Sequence, residues 1–225
     1  MTSPNTTLSN TTGPDTNWRT RIKFCGITRV EDAQAAVELG VDAIGLVLTR
    51  KSLRFVELER AREIRRTLPP FVAAVTLFMD DDPAWIAAAI DIVAPDLLQF
   101  HGNECVADCV HYGRRYLKAV PMHGITDVSS VIAMHPGAAG FLFDGHAAGE
   151  QGGRGQSFDW TRIPADLKRP LLLAGGLTCD NVGAAIRSVR PYAVDVSSGI
   201  ESAPGVKDAE KMRRFVEEVR RTCGE

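Results

Sequence analysis

The chain has 225 residues, 44% of them hydrophobic, which is enough for one large α/β domain with a sizeable core. Its net charge of −2 argues against a nucleic-acid or anionic-membrane partner, although a local site can still bind an anion. The five cysteines form no CxxC pair, so we expect neither a disulfide framework nor a metal site, and the expected location is a reducing cytoplasm.

The first 20 residues are rich in Ser, Thr, Asn and Pro, and they have neither the charged start nor the apolar stretch of a signal peptide. We therefore expect a disordered tail over 1–20 and a single catalytic domain over 21–225. No apolar stretch reaches the roughly 18 residues that a membrane-spanning helix needs.

After the tail, apolar strand-like segments alternate with amphipathic helical segments. The predicted strands are 22–25, 43–48, 72–79, 97–100, 116–120, 140–143, 171–174 and 193–196. The predicted helices are 31–39, 57–68, one that begins at Pro83, 104–112, 127–134, 180–189 and 208–221. Between 145 and 168 glycine is frequent and the helical pattern is weak, so we expect the repeat to be irregular there.

Apolar strands separated by helices indicate a parallel sheet that is covered on its outer face. Eight such units favour a single (β/α)8 TIM barrel over a doubly wound sheet. The G-x-G-x-x-G motif of dinucleotide-binding folds is missing after the first strand. In a (β/α)8 barrel the active site lies at the C-terminal ends of the strands.

Two small-residue pairs follow the last two predicted strands, Gly175-Gly176 and Ser198-Gly199. Barrels often bind phosphate at these two loops, through backbone N–H groups and helix N-termini. The alternative is that these residues only make tight turns. Their occurrence in both expected places favours a phosphate site.

Cys25 and Asp144 each come directly at the end of an apolar strand. A carboxyl group at the mouth of a barrel is a candidate general acid, although an aspartate there can also cap a helix or form a salt bridge. A lone cysteine at a strand end is more often a small buried apolar residue.

Three further residues are open to more than one interpretation. His101 can be a base, a hydrogen-bond donor or a core histidine. Arg54 can bind a carboxylate in a bidentate manner or lie on a solvated face. Arg154 belongs to a glycine-rich segment, 152–155, that is either a lid or a linker.

Taken together, these motifs resemble the phosphoribosylanthranilate isomerase family of tryptophan biosynthesis. They are KFCGIT, LQFHGNE, FLFDG, GGRG followed by FDW, LLLAGGLT, and VDVSSGIE followed by PGVKD, and they cover the chain from about Arg21 to Arg220. The resemblance implies a (β/α)8 barrel that works without a cofactor on a small phosphorylated substrate. We expect the protein to be a monomer or a homodimer.

The resemblance also implies the reaction, an Amadori rearrangement of N-(5-phosphoribosyl)anthranilate. By this likeness Asp144 is the acid that opens the furanose ring, Cys25 is the base that removes the C2 proton, and Arg54 binds the anthranilate carboxylate. Phosphate would be held at Gly175, Gly176, Ser198 and Gly199, with His101 also near the substrate.

The chain departs from the family pattern at four places. Leu48-Thr49 replaces a usual aromatic pair, and Ser52-Leu53-Arg54 replaces a usual Ser-Pro-Arg. Arg154 replaces a usual Thr, and Gly145 follows the acid where Ser is frequent. Two alternatives therefore remain: a divergent relative that acts on another N-substituted aminoribose phosphate, and a non-catalytic sugar-phosphate-binding barrel. The related histidine-pathway isomerase is disfavoured, because such barrels resemble one another in having an aspartate where this chain has Cys25.

Overall fold

Eight parallel strands hydrogen-bond in chain order and close into a barrel in the computed structural model, which describes residues 19–124, 127–147 and 157–224. The strands are β1 (Arg21–Cys25), β2 (Ala43–Val47), β3 (Ala73–Phe78), β4 (Leu97–Phe100), β5 (Tyr116–His123), β6 (Gly140–Ala147), β7 (Leu171–Leu173) and β8 (Ala193–Val196). Closure pairs β1 with β8 in a register that sets Lys23 opposite Asp195. The predicted (β/α)8 barrel is confirmed.

The helices alternate with these strands and cover the outside of the barrel. They are α1 (Val30–Glu38), α2 (Leu58–Arg66), α3 (Pro83–Val93), α4 (Val106–Val110), α5 (Val128–Met134), α6 (Val182–Val189) and α7 (Ala209–Cys223). Aspartate side chains cap three of the helix N-termini: Asp82 accepts from the Ala84 amide, Asp127 from Ser130 and Asp208 from Lys211. None of the helices in the described ranges has the length and apolar character needed to cross a membrane.

The region between β6 and β7 is irregular, as expected from its glycine content. Its described part contains one 3₁₀ turn, Trp160–Arg162. The glycine-rich segment with Arg154 lies outside the described residues. The predicted tail does too, apart from Arg19 and Thr20. Thr20 is buried, and its backbone amide contacts the Cys223 sulfur at 3.5 Å.

Side chains alternate between the two faces of each strand. Outward-facing residues such as Phe24 and Phe100 join the large core beneath the helices. Inward-facing residues fill the barrel, where an apolar cluster is built from Val75, Leu117, Ala119, Leu142, Leu172, Ala174 and Ala193. Above it, toward the strand C-termini, inward positions carry polar and reactive groups. The barrel interior is therefore apolar toward the N-terminal ends of the strands and polar toward their C-terminal ends.

A short hairpin separates β8 from α7, and the sequence did not predict it. After β8 the chain makes a 3₁₀ turn, Ser198–Ile200, and then two antiparallel strands, β9 (Glu201–Ala203) and β10 (Val206–Lys207). Gly205, at the turn, has a φ of +78°, which glycine adopts without strain. The hairpin lies over the seam where β8 meets β1.

Candidate active site

A single cavity at the C-terminal ends of the strands brings together most of the predicted site residues. It is lined by Cys25, Arg54, His101, Asp144, Gly175, Gly176 and Ser198, among others. These residues lie in the C-terminal parts of six different strands, β1, β2, β4, β6, β7 and β8, or in the loops that follow them. Their convergence is what the barrel topology predicts for an active site.

Gly199 does not line this cavity. A Cβ atom at Gly199 would lie 1.9 Å from the carbonyl oxygen of Leu177. The absence of a side chain therefore lets the loop after β8 pack directly on the loop after β7. Gly199 therefore lies at the contact between the loops after β7 and β8 and not at the cavity wall.

Cys25 is buried at the end of β1 and shares a face with two charged residues. Lys23 lies two residues earlier on the same strand, and its Nζ is 2.7 Å from Oδ1 of Asp195 on β8. Gly45, opposite Cys25 on β2, leaves space for both side chains, because a Cβ there would lie 2.7 Å from Cys25 Sγ and 3.0 Å from Lys23 Nζ. The thiol and the ammonium group are thus packed together.

This environment acts on the thiol in two directions. Burial raises the pKa of the Cys25 thiol, and the Asp195 carboxylate raises it further, whereas the charges of Lys23 and Lys207 lower it. Burial acts to lower the pKa of Lys23, but the adjacent Asp195 carboxylate and Cys25 keep it above its ordinary value. Lys23 therefore stays charged beside the thiol.

Asp144 lies at the end of the regular part of β6 and faces His101. The Nε2 atom of His101 is 3.4 Å from Oδ2 of Asp144, and Nδ1 of His101 is 3.2 Å from the Gln99 amide nitrogen. Gln99 is fully buried and lines the cavity, and its Oε1 has no hydrogen-bond partner among the described residues. His101 is therefore a member of the site and not a core histidine.

Arg54 follows β2, and most of its side chain is shielded from solvent. Its Nε and Nη2 atoms lie 2.8 Å and 2.7 Å from the two carboxylate oxygens of Glu201 on β9. Only 11% of the Arg54 side chain is exposed, and it lines the cavity. The guanidinium group that the sequence assigned to a carboxylate is thus already paired along one edge with a carboxylate of the protein.

The loop after β7 contains two glycines in the left-handed region of backbone conformation. Gly175 and Gly176 have φ values of +81° and +64°, which favour glycine. The Asn181 side chain fixes this loop, since its Nδ2 donates to the Gly176 carbonyl at 2.8 Å and its Oδ1 accepts from the Thr178 amide at 2.8 Å. Ser197, on the neighbouring loop, lines the cavity, and its hydroxyl has no partner among the described residues.

The segment after β2 contains Leu48, Thr49 and Leu53, the residues that differ from the family pattern, and these three side chains lie in different environments. Thr49 is 2% exposed and lines the cavity, whereas Leu48 is buried in the core beneath the helices. Leu53 is 77% exposed and does not line it. Of the altered positions after β2, Thr49 is thus the one that contacts the cavity.

Several site residues have no counterpart in the sequence prediction: Lys23, Gly45, Gln99, Asp195, Glu201 and Lys207. Three of them carried a usable signal, because Lys23, Gln99 and Asp195 are polar residues inside otherwise apolar strands. A buried charge usually has a partner or a chemical role. Within the described ranges, no group of three or more His, Cys, Asp or Glu side chains is arranged to hold a metal ion.

Comparisons with known proteins agree with the geometry. The family model described as N-(5'phosphoribosyl)anthranilate (PRA) isomerase matches residues 22–218. The N-(5'-phosphoribosyl)anthranilate isomerase of Halorhodospira halophila is 55% identical over 203 residues, covering 90% of this chain and 98% of the relative. The enzyme of the same name from Pseudomonas aeruginosa is 54% identical over 200 residues, covering 89% and 95%.

Solved structures give the same result. The phosphoribosyl anthranilate isomerase of Thermotoga maritima superposes with a TM-score of 0.81 at 38% identity, covering 89% of this chain and 98% of that one. The Thermus thermophilus protein has a TM-score of 0.80 at 35% identity, covering 90% and 99%. A third structure, in complex with reduced 1-(o-carboxyphenylamino)-1-deoxyribulose 5-phosphate, has a TM-score of 0.78 at 36% identity, covering 89% and 98%. The chain therefore belongs to the N-(5'-phosphoribosyl)anthranilate isomerase family.

Proposed function

We propose that this protein catalyses the Amadori rearrangement of N-(5'-phosphoribosyl)anthranilate in tryptophan biosynthesis. The product is 1-(2-carboxyphenylamino)-1-deoxyribulose 5-phosphate. One observation carries this proposal. A thiol with charged neighbours, a carboxyl group, an arginine and a glycine-rich loop all line one cavity, and they are contributed by Cys25, Asp144, Arg54 and Gly175-Gly176. A family structure in complex with the reduced product supports it.

In the first step Asp144 is the general acid. Its proton passes to the furanose ring oxygen, the C1–O bond breaks, and the nitrogen lone pair forms a C=N bond. The His101 imidazole beside Asp144 and the Gln99 amide behind His101 fix the direction of the carboxyl group. Because β6 is not a neighbour of β1, the acid and the base reach the sugar from different sides of the barrel.

In the second step Cys25 is the general base, and it must be a thiolate to accept the C2 proton. The C–H electrons form the C1=C2 bond of an enolamine and the nitrogen becomes neutral. The enol then loses its hydroxyl proton while C1 gains one, which leaves the ketone with no net change in atoms. Lys23, held by Asp195, supplies the positive charge that favours the thiolate.

The two ends of the substrate are bound separately in this proposal. Backbone N–H groups of the loops after β7 and β8, at Gly175, Gly176 and Ser198 with Gly199 behind them, hold the phosphate. Arg54 holds the carboxylate of the aromatic ring. Proton transfer at the sugar then takes place between two fixed anchors.

The test is complementation of a tryptophan auxotroph that lacks this isomerase, combined with turnover of the anthranilate substrate in vitro. Growth without tryptophan and measurable turnover are expected. A folded, expressed protein that supports neither would refute the proposal.

One observation favours the second candidate, a relative with an altered substrate. Thr49 contributes a small polar side chain to the wall where the family usually has an aromatic one. Turnover of a non-aromatic N-substituted aminoribose phosphate, compared with the anthranilate substrate, separates the two candidates. We expect the anthranilate substrate to be preferred.

We also propose that the enzyme works in the cytoplasm as a monomer or homodimer. Its five cysteines are free thiols, which fits a reducing compartment. A family structure describes monomers generated from the dimeric Thermotoga maritima enzyme. Light scattering on the purified protein determines the oligomeric state.

A further inference from the structure

The hairpin after β8 brings one carboxylate to the back of Arg54. Oε1 of Glu201 accepts hydrogen bonds from Arg54 Nε at 2.8 Å, from Lys207 Nζ at 2.8 Å and from the Gly205 amide at 3.3 Å. Oε2 accepts from Arg54 Nη2 at 2.7 Å. Four donors therefore hold this carboxylate, and two of them belong to Arg54.

Lys207 connects the same carboxylate to the catalytic end of the barrel. Its side chain is completely buried. Besides Glu201, its Nζ donates to the Cys25 carbonyl at 2.7 Å and to the Ser197 carbonyl at 3.1 Å. One ammonium group thus joins the ends of β1 and β8 to the residue that holds Arg54.

Gly26 makes room for this arrangement. It has a φ of +70°, and a Cβ there would lie 2.4 Å from Arg54 Cδ and 2.9 Å from Ser197 Oγ. The aliphatic part of Arg54 consequently lies against the backbone that follows the base. The Arg54 side chain is therefore held at two points. Its aliphatic part packs against Gly26, and its guanidinium group is paired with Glu201.

The charges of Arg54, Lys207 and Glu201 do not cancel. Arg54 and Lys207 are cations and Glu201 is the anion between them, so the cluster carries one net positive charge. A guanidinium group has five N–H donors, and Glu201 takes two of them along one edge. Glu201 thus fixes one edge of the guanidinium group.

We propose that Glu201 and Lys207 are positioning residues that set substrate specificity, because they hold Arg54 in the plane that reads the carboxylate of the aromatic ring. This inference rests on the proposed function. Free arginine side chains lose considerable rotamer entropy when they bind. Here the hairpin has ordered the side chain before the substrate arrives, so recognition depends on residues that do not touch the substrate.

The test measures discrimination rather than activity. The probes are the reduced product and the same compound without its ring carboxylate, and calorimetry gives both dissociation constants. Their ratio is the carboxylate discrimination of each variant. Arg54→Ala should reduce the ratio to near one, and Glu201→Gln should reduce it about tenfold, the effect of losing a good charge-assisted pairing. Lys207→Met should cause a smaller loss, about threefold.

Two further variants serve as controls, one for the removal of an unrelated carboxylate and one for loss of folding. Glu210→Gln removes the carboxylate of an exposed Arg–Glu pair with Arg213 on α7 and should leave the ratio unchanged. Glu201→Asp keeps a buried negative charge near both cations, but its side chain is one methylene shorter and cannot keep the bidentate pairing with Arg54. It should therefore fold even if Glu201→Gln does not, and it should lose discrimination to a similar extent.

The outcomes separate the two proposals. If Arg54→Ala keeps the wild-type ratio, the role of Arg54 in the proposed function is wrong. If Arg54→Ala loses the ratio but both Glu201 variants keep it, the positioning role is overturned and the proposed function stands. Equal weakening of both probes by the Glu201 variants would show a purely structural role and also overturn the inference.

Discussion

In the proposed reaction Asp144 donates the first proton and Cys25 removes the proton from C2. We expect Cys25→Ala and Asp144→Asn each to lower kcat by about 10²–10⁴-fold, the usual contribution of a positioned acid or base. Both changes are small in volume, so the fold should persist. Steady-state kinetics with circular dichroism checks this, and near wild-type kcat in either variant would remove that residue from its role.

The charges beside Cys25 predict opposite effects on pH dependence. The base is active above its own pKa, so the acid limb of the kcat/KM profile follows the Cys25 thiol. Lys23 lowers that pKa and Asp195 raises it. Lys23→Met should therefore move the acid limb to higher pH, and Asp195→Asn should move it to lower pH.

The measurement is a pH profile of kcat/KM for wild type and both variants. The double variant serves as the control for burying one unpaired charge, since it removes both partners together. Shifts in the same direction for the two single variants would mean that Cys25 is not the group that titrates.

At the scale of elements, the loops after β7 and β8 pack directly against each other, because Gly199 has no side chain to separate them. Gly199→Ala places a methyl group against the Leu177 carbonyl and must push the loops apart. We expect weaker competitive inhibition by inorganic phosphate and a loss of about 1–3 kcal/mol in the free energy of unfolding, as for other overpacked sites.

Gly137→Ala is the matched control for this substitution. A Cβ at Gly137 meets nothing closer than 3.9 Å, so stability and phosphate inhibition should both remain near wild type. If Gly199→Ala behaves like Gly137→Ala, the contact between the two loops does not support the phosphate site.

Most elements of the barrel were predictable, because each barrel strand is a short and mainly apolar run and helical segments separate most of these runs. The β9–β10 hairpin was not, since its strands have three and two residues and Pro204-Gly205 between them looks like an ordinary loop. The extension of β5 to His123 was also missed, because Pro121 suggests a strand end.

The site divides in the same way. Cys25, Asp144 and Gly176 lie near strand ends, and the barrel topology alone predicts functional residues at those positions. Glu201 could not be assigned, because its partner Arg54 is 147 residues away in the chain and nothing local signals the contact. Pairings across a barrel depend on register, which the sequence pattern does not specify.

For the whole molecule, the Glu201 cluster links stability to pH. Burial acts to raise the pKa of Glu201, but the hydrogen bonds and charges of Arg54 and Lys207 hold it below its ordinary value. A carboxylate with a lowered pKa stabilises the fold above its unfolded pKa of about 4.3, and this contribution is lost as the pH falls through the lower, folded value.

We therefore expect Glu201→Gln to cost about 3 kcal/mol in the free energy of unfolding at pH 7, typical of a broken buried pair. The difference from wild type should shrink as the pH falls below about 4. Urea unfolding at a series of pH values measures it. A difference that does not change with pH would mean that the charge of Glu201 contributes nothing to stability.

The seam between β1 and β8 joins the first and last strands of the barrel. Lys23 and Cys25 come from the start of the chain, whereas Asp195, Glu201 and Lys207 come from its last quarter. During synthesis, Lys23 and Cys25 are made long before Asp195, Glu201 and Lys207. The growing chain therefore holds the thiol and its neighbouring ammonium group without their buried carboxylate partner, and these groups come together only when β8 docks on β1 and closes the barrel.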